Sequence, residues 1–207
     1  MEAGAAAELF DKISFNSPVV LVFTALSLLV LIFDKFTDGL LRRSLFSVYK
    51  SSFLDPFAYI RLFGHAIGHS GIGHYIGNFM LILLLGPPLE EKYGNLDLFL
   101  MMFITAVVAG LFYTLLASDG YSVCGASGVV FMLIVLSSFT NVSEGKIPFT
   151  LILVSILYLG KELINEAGKI TGLRKSGVAH LAHILGGVTG GVFGFYWPAI
   201  KNFIGFV

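Results

Sequence analysis

Residues 120–133 read GYSVCGASGVVFML. A strongly apolar chain is broken here by small residues, and Ser127 stands between Ala126 and Gly128 before the apolar run resumes. Two readings compete for Ser127. In the first it is a small residue at which two membrane helices touch, because small residues spaced along a helix let backbones approach in lipid. In the second it is a nucleophile at the start of a short helix. The choice depends on what the rest of the chain brings beside it.

The chain has 207 residues, of which 56% are hydrophobic and only 13% charged, and its mean hydropathy is +0.87. A soluble domain is usually about one quarter charged, so this chain lacks the charge to face water on all sides. The composition predicts an all-α integral membrane protein, folded over residues 1–207 as a single transmembrane bundle. A net charge of zero offers no basic field for nucleic acid. The single cysteine, Cys124, excludes an intramolecular disulfide and a cysteine metal cluster. The opening residues MEAGAAAELFDKISF are acidic and lack the basic and early apolar regions of a cleaved signal, so the first membrane helix is expected to stay in the mature protein.

Six apolar segments follow, at roughly 17–34, 71–89, 96–117, 126–142, 147–165 and 177–197. A spanning helix needs about 20 residues. The fourth segment is short. If it begins below the surface, it leaves non-helical backbone at membrane depth, which is tolerated only where that backbone is buried in protein or lines a wet cavity. That backbone is SDGYSVCGA, leading into Ser127. The long connection 35–70 mixes Leu, Phe and Tyr with Arg42, Arg43, Lys50 and Arg61. It reads as an interfacial, partly embedded loop with short helical pieces. The run Gly64, Gly68, Gly71, Gly73, Gly77 predicts close packing of the second helix on a neighbour. Lys161, Glu162 and Glu166 read as snorkelling residues near the end of the fifth helix.

Polar groups at membrane depth are costly and need a reason. His74 and Asn78 are four residues apart and share a face of the second helix. His180 and His183 are three apart on the sixth. A serine nucleophile needs a base to take its proton and donors aimed at the developing oxyanion. His183 or His180 supplies the base. The His74 imidazole, the Asn78 amide and the backbone N–H of Ser127 supply the oxyanion donors, because a helix's first amides have no intrahelical partner. The glycines favour His183 over His180. Gly186 and Gly190 make a close-contact face, and His183 lies three residues before the first of them. No acid lies in an obvious place to orient the base, so the arrangement reads as a Ser–His dyad. His65 and His69 read as loop or helix-start hydrogen-bonding residues, Cys124 as a small buried hydrophobe, and Phe131 as core.

Together these residues resemble the rhomboid family of intramembrane serine proteases. The G-x-S-G motif is Gly125, Ala126, Ser127 and Gly128. The family's H-x3-H-x4-H-x3-N pattern falls on His65, His69, His74 and Asn78, and its A-H-x-x-G-x-x-x-G motif on Ala182, His183, Gly186 and Gly190. Ile60-Arg61 resembles the family's Trp-Arg pair without the tryptophan, and Glu90 to Gly94 resembles its glutamate-to-glycine pattern. Phe131 stands where the family often has an aromatic ring against the histidine. The resemblance covers roughly 55–200. It implies a six-helix transmembrane bundle with the long loop between helices one and two, and an N-terminus in the cytoplasm. It implies cleavage of transmembrane protein substrates within the lipid, through an acyl-enzyme on Ser127, without cofactor or metal.

Two other classes fit the residues less well. His65 and His69 are an i, i+4 pair, but Ala66 stands where a zinc protease carries its glutamate. A non-catalytic rhomboid-like protein that binds or routes membrane clients is the alternative. The Lys and Arg residues also oppose the implied topology. Lys35, Arg42, Arg43, Lys50, Arg61, Lys169, Arg174 and Lys175 gather on one side, against Lys12, Lys92, Lys146 and Lys201 on the other. Taken literally, that bias puts the N-terminus outside.

Overall fold

The computed structural model describes residues 15–116, 120–140, 146–154, 156–157, 178–203 and 205, with backbone alone at 178–181. Expectations for Lys161, Glu162 and Glu166, and for the His180 side chain, lie outside the described residues. What is described is mostly helical.

Helix α1 spans Pro18–Phe36. Proline suits a first turn because its missing N–H would be unpaired there anyway. Ser17 supplies no side-chain cap. The amides of Val19 and Val20 donate instead to the Glu90 carboxylate, at 2.9 and 3.0 Å. Glu90 is 2% exposed, and the N-terminal dipole of α1 favours a negative charge at this place.

The connection after α1 folds into helix α2 (Leu40–Leu45), strand β1 (Val48–Tyr49) and helix α3 (Pro56–Gly64). Gly39 turns the chain at φ 77°. Asp34 then accepts from the Arg42 backbone N–H at 2.7 Å and pairs with its Nε at 3.2 Å. Asp55 caps α3 by accepting from the Phe57 N–H at 3.0 Å. Arg61, 2% exposed, pairs with Asp55 and lies over the Tyr49 ring at 4.5 Å. The arginine thus ties the connection to itself.

Helix α4 spans Ile72–Tyr93, α5 spans Asn95–Leu116, α6 spans Ser127–Ser137 and α7 spans Val178–Phe203. Residues 149–154 are also helical. Strand β2 (Ser122–Val123) pairs antiparallel with β1, Val48 opposite Val123 and Tyr49 opposite Ser122. Helix α4 runs past residue 89 and through Pro87 and Pro88. Prolines remove N–H donors, but a helix in lipid keeps going where neighbours and local adjustments satisfy the freed carbonyls. Gly94 stops it at φ 88°.

The α6–α7 contact is made by glycines. A Cβ on Gly186 would lie 2.1 Å from the Gly128 carbonyl oxygen, and one on Gly190 would lie 2.6 Å from that of Met132. The predicted close-contact face therefore meets the short helix. The earlier glycine run divides in two. Gly64 and Gly68 pack against the backbone of Leu45 and Phe46, while Gly71, Gly73 and Gly77 have nothing among the described residues within 4 Å of a Cβ. Among the described residues, the run seats the connection on its own Leu45–Phe46 turn and brings no neighbouring helix against α4.

Helices α1, α4 and α5 are long and apolar enough to cross a membrane, and their outward residues include Phe33, Met80 and Leu115, all more than half exposed. In a chain this poor in charge, such faces belong against lipid. The molecule is an integral membrane protein. Helix α6 is different: 11 residues rise only about 16 Å, roughly half a hydrocarbon core. Its interior residues Met132, Leu133 and Leu136 are fully buried, so other helices surround it.

Candidate active site

Ser127 is the first residue of α6, with Ala126 as N-cap. It is half-buried. Gly125 before it sits at φ 123°, a left-handed conformation open to glycine at low cost. Space makes the same demand. A Cβ on Gly125 would lie 2.5 Å from His74 Cε1, 2.6 Å from His74 Nε2 and 3.5 Å from Asn78 Nδ2. The glycine of the G-x-S-G motif is thus the surface on which the His74 ring and the Asn78 amide rest.

Two buried histidines hold this loop. The Gly125 N–H donates to the His65 carbonyl at 2.8 Å. The Ala126 N–H donates, at a longer 3.4 Å, to His69 Nε2. His69 Nδ1 lies 3.1 Å from the Ile67 carbonyl; a carbonyl only accepts, so Nδ1 carries the proton and Nε2 is the acceptor. The Asn78 amide then donates to the same Nε2 at 3.0 Å, which fixes its nitrogen toward the loop. Both rings are kept neutral by burial, which pushes His65 and His69 down to about 4. Charging His69 would place a new N–H against two existing donors.

His74 is exposed at the first turn of α4. Its Nδ1 lies 3.1 Å from the Ser70 hydroxyl. If Ser70 donates, the His74 proton sits on Nε2, the nitrogen beside Gly125. Its ring meets the edge of His69 at 5.0 Å.

His183 lies on α7, half-buried, with its ring stacked on Phe131 at 4.3 Å and 30°. Phe131 is four residues after Ser127, so the two share a face of α6. The backbones of α6 and α7 touch at Gly128 and Gly186, one residue after the serine and three after the histidine. The Ala182 N–H donates to the Tyr113 hydroxyl at 3.0 Å, anchoring the start of α7 to α5. The structure thus brings Ser127, His74, Asn78 and His183 to one end of the bundle, with Gly125, Gly128, Gly186 and Gly190 at the contacts between their elements.

Cys124 is half-buried, and burial pushes its thiol up, away from the thiolate a nucleophile needs. Both nitrogens of His69 are engaged with protein atoms, so the i, i+4 histidine pair is not a free ligand pair. Among the described residues no group of three or more His, Cys, Asp or Glu side chains converges as for a metal.

Sequence reasoning missed the β1–β2 clamp, which ties the loop down two residues before Gly125. Two-residue strands carry no period to read. It also missed Glu90 as the cap of α1, a partnership across 71 positions.

Residues 56–199 match the Rhomboid domain. The chain is also similar to Rhomboid-related protein 1 of Caenorhabditis elegans, 30% identical over an alignment of 138 positions that covers 61% of this chain and 36% of that protein. It therefore spans only about a third of the length of that curated relative.

Proposed function

The chain belongs to the rhomboid family, and on that premise we propose that it is an intramembrane serine endopeptidase whose dyad is Ser127 and His183. The observation that carries this is the stacking of His183 on Phe131, on the same α6 face as Ser127, beside the backbone contact of Gly128 with Gly186. Small residues there draw two helices together, and a packing role alone gives no reason for an imidazole on that face.

In the proposed reaction Ser127 Oγ attacks the scissile carbonyl as His183 takes its proton. The carbonyl oxygen becomes an oxyanion, met by the Ser127 N–H, the Asn78 amide and His74 Nε2–H. The C–N bond breaks, His183 passes its proton to the leaving amine, and the acyl group stays on Oγ. His183 then takes a proton from water, hydroxide adds to the ester, and Oγ leaves with that proton restored. Half-buried Ser127 and exposed His74 give water a way to the ester. The substrate is a transmembrane segment. Its helix must unwind to present a carbonyl, so glycine and other helix-destabilising residues near the cut favour cleavage.

The same reading takes residues 1–207 as one domain of six spanning helices with a partly embedded loop after the first. It puts the N-terminus in the cytoplasm. The test is cleavage of a reporter transmembrane substrate in reconstituted vesicles. Ser127→Ala loses at least about a thousandfold in rate, and cleavage resists chelators. A Ser127→Ala protein that keeps every cellular function of the parent would favour a non-catalytic role in binding membrane clients.

A further inference from the structure

At the end of the bundle opposite Ser127, the ends of α4 and α7 and the segments after α6 surround a cavity of about 710 Å³. Its inner wall is aromatic, with Phe139, Phe193 and Trp197, and its rim carries Lys92, Lys146 and Lys201 against Asp97, the one carboxylate among the described lining residues. Asp97 is already engaged. It accepts from Trp197 Nε1 at 2.9 Å and pairs with Lys201 Nζ at 2.9 Å. Lys92 is held in place by donating to the carbonyls of Phe139 and Thr140. Those bonds occupy two of the three N–H groups of its ammonium. Among the described lining residues, positive charge thus exceeds negative by two.

The cavity lies where spanning helices end and amphipathic aromatic residues begin, as at a membrane interface. Phe195 and Tyr196 also line it, and they are 47% and 62% exposed, so one side is apolar and open to lipid. A water-borne anion matches the ammonium groups but leaves that apolar side unused. An anionic amphiphile matches both, since basic pockets between helices suit lipid headgroups. We propose that this cavity binds the phosphate headgroup of an anionic phospholipid, whose acyl chains leave across Phe195 and Tyr196. The site is separate from the proposed dyad and does not depend on it.

Trp197 is the chain's single tryptophan, so its fluorescence reports on the cavity directly. The full chain is reconstituted in phosphatidylcholine vesicles carrying equal fractions of bromine-labelled phosphatidylglycerol or bromine-labelled phosphatidylcholine. Brominated phosphatidylglycerol quenches Trp197 at several-fold lower mole fraction than brominated phosphatidylcholine. Lys146→Gln, a change at an exposed residue, lowers that preference about fivefold, the scale of one lysine near an anionic surface. Lys146→Glu lowers it further. Matching Trp197 emission in bromine-free vesicles establishes that the variants are folded at this site. Equal quenching by the two lipids overturns the proposal, as does a preference unchanged in both variants. Displacement of the brominated phosphatidylglycerol by inorganic phosphate at constant ionic strength would assign the cavity to a free anion and overturn it as well.

Discussion

The far end of the bundle and the short loop that carries Ser127 are held by different kinds of group. At the far end charge does it. The Glu90 carboxylate caps α1, the Lys92 ammonium takes carbonyls after α6, and Asp97 binds Trp197 and Lys201. At the Ser127 end ion pairs tie the connection after α1, Asp34 with Arg42 and Asp55 with Arg61, but the loop at Gly125 and Ala126 is held by neutral groups: a backbone carbonyl of His65, the neutral ring of His69, the amide of Asn78 and two glycine contacts. On the proposed mechanism, neutral dipoles hold the loop in position and leave the new charge of an oxyanion to be met by donors already aimed. The far end would then serve anchorage and the loop preorganisation.

The largest expected effect sharpens that contrast through two glycines. Gly125→Ala forces a side chain into a left-handed φ and into the His74 ring. Cleavage is expected to fall about a hundredfold, as displacements near 1 Å do. Gly86→Ala meets the Val20 side chain at 2.5 Å at the far end, and is expected to destabilise by about 1–3 kcal/mol while cleavage per folded molecule stays near the parent's. Denaturant titration alongside initial rates separates the two. Equal losses of activity per folded molecule would break the distinction.

Next come the caps. His69→Ala leaves the Asn78 amide and the Ala126 N–H without their acceptor, and Glu90→Ala leaves two amides of α1. Each is expected to cost about 1–3 kcal/mol of stability. Only His69→Ala should also lower kcat, because only it releases the loop that carries Ser127.

A pH scan follows from the two buried histidines. Both are neutral when folded, with pKa values near 4 against 6.5 when unfolded. The unfolded chain therefore binds more protons between those values. Stability is full above about pH 6.5 and is lost as pH falls toward 4, with a slope approaching about 2.7 kcal/mol per pH unit for two protons. His69→Gln should remove about half that slope. A stability flat from pH 7 to 4.5 would show that these rings are not held neutral.

The smallest effect is at Phe131→Leu. Ring stacking of this kind is worth about 0.5–1.5 kcal/mol, so cleavage should fall about threefold to tenfold at unchanged fold.

Much of the Ser127 end was legible in the sequence. The spacing of Gly186 and Gly190 gave a close-contact face, and Gly128 and Met132 are what it touches. The i, i+4 relation of His74 and Asn78 brought both to Gly125. Local geometry decides these features, so spacing reveals them. The rest depends on partners distant in sequence. Glu90 meets α1 across 71 positions, and the β1–β2 pair joins Val48 to Val123. The glycines at 71, 73 and 77 carry the same composition as a packing stripe yet meet nothing among the described residues, because composition does not say which side of a helix has a neighbour. The continuation of α4 from residue 89 to Tyr93 hid because Glu90, Glu91 and Lys92 end the apolar run.

The central claim is that Ser127 is a nucleophile activated by His183, and covalent labelling tests it most directly. The chain in detergent or vesicles is treated with a fluorophosphonate probe, and the modified peptide is identified by mass spectrometry. An adduct is expected on Ser127 in the parent, none in Ser127→Ala, and very little in His183→Ala, with His180→Ala labelled like the parent. Labelling that survives in His183→Ala and disappears in His180→Ala would contradict it.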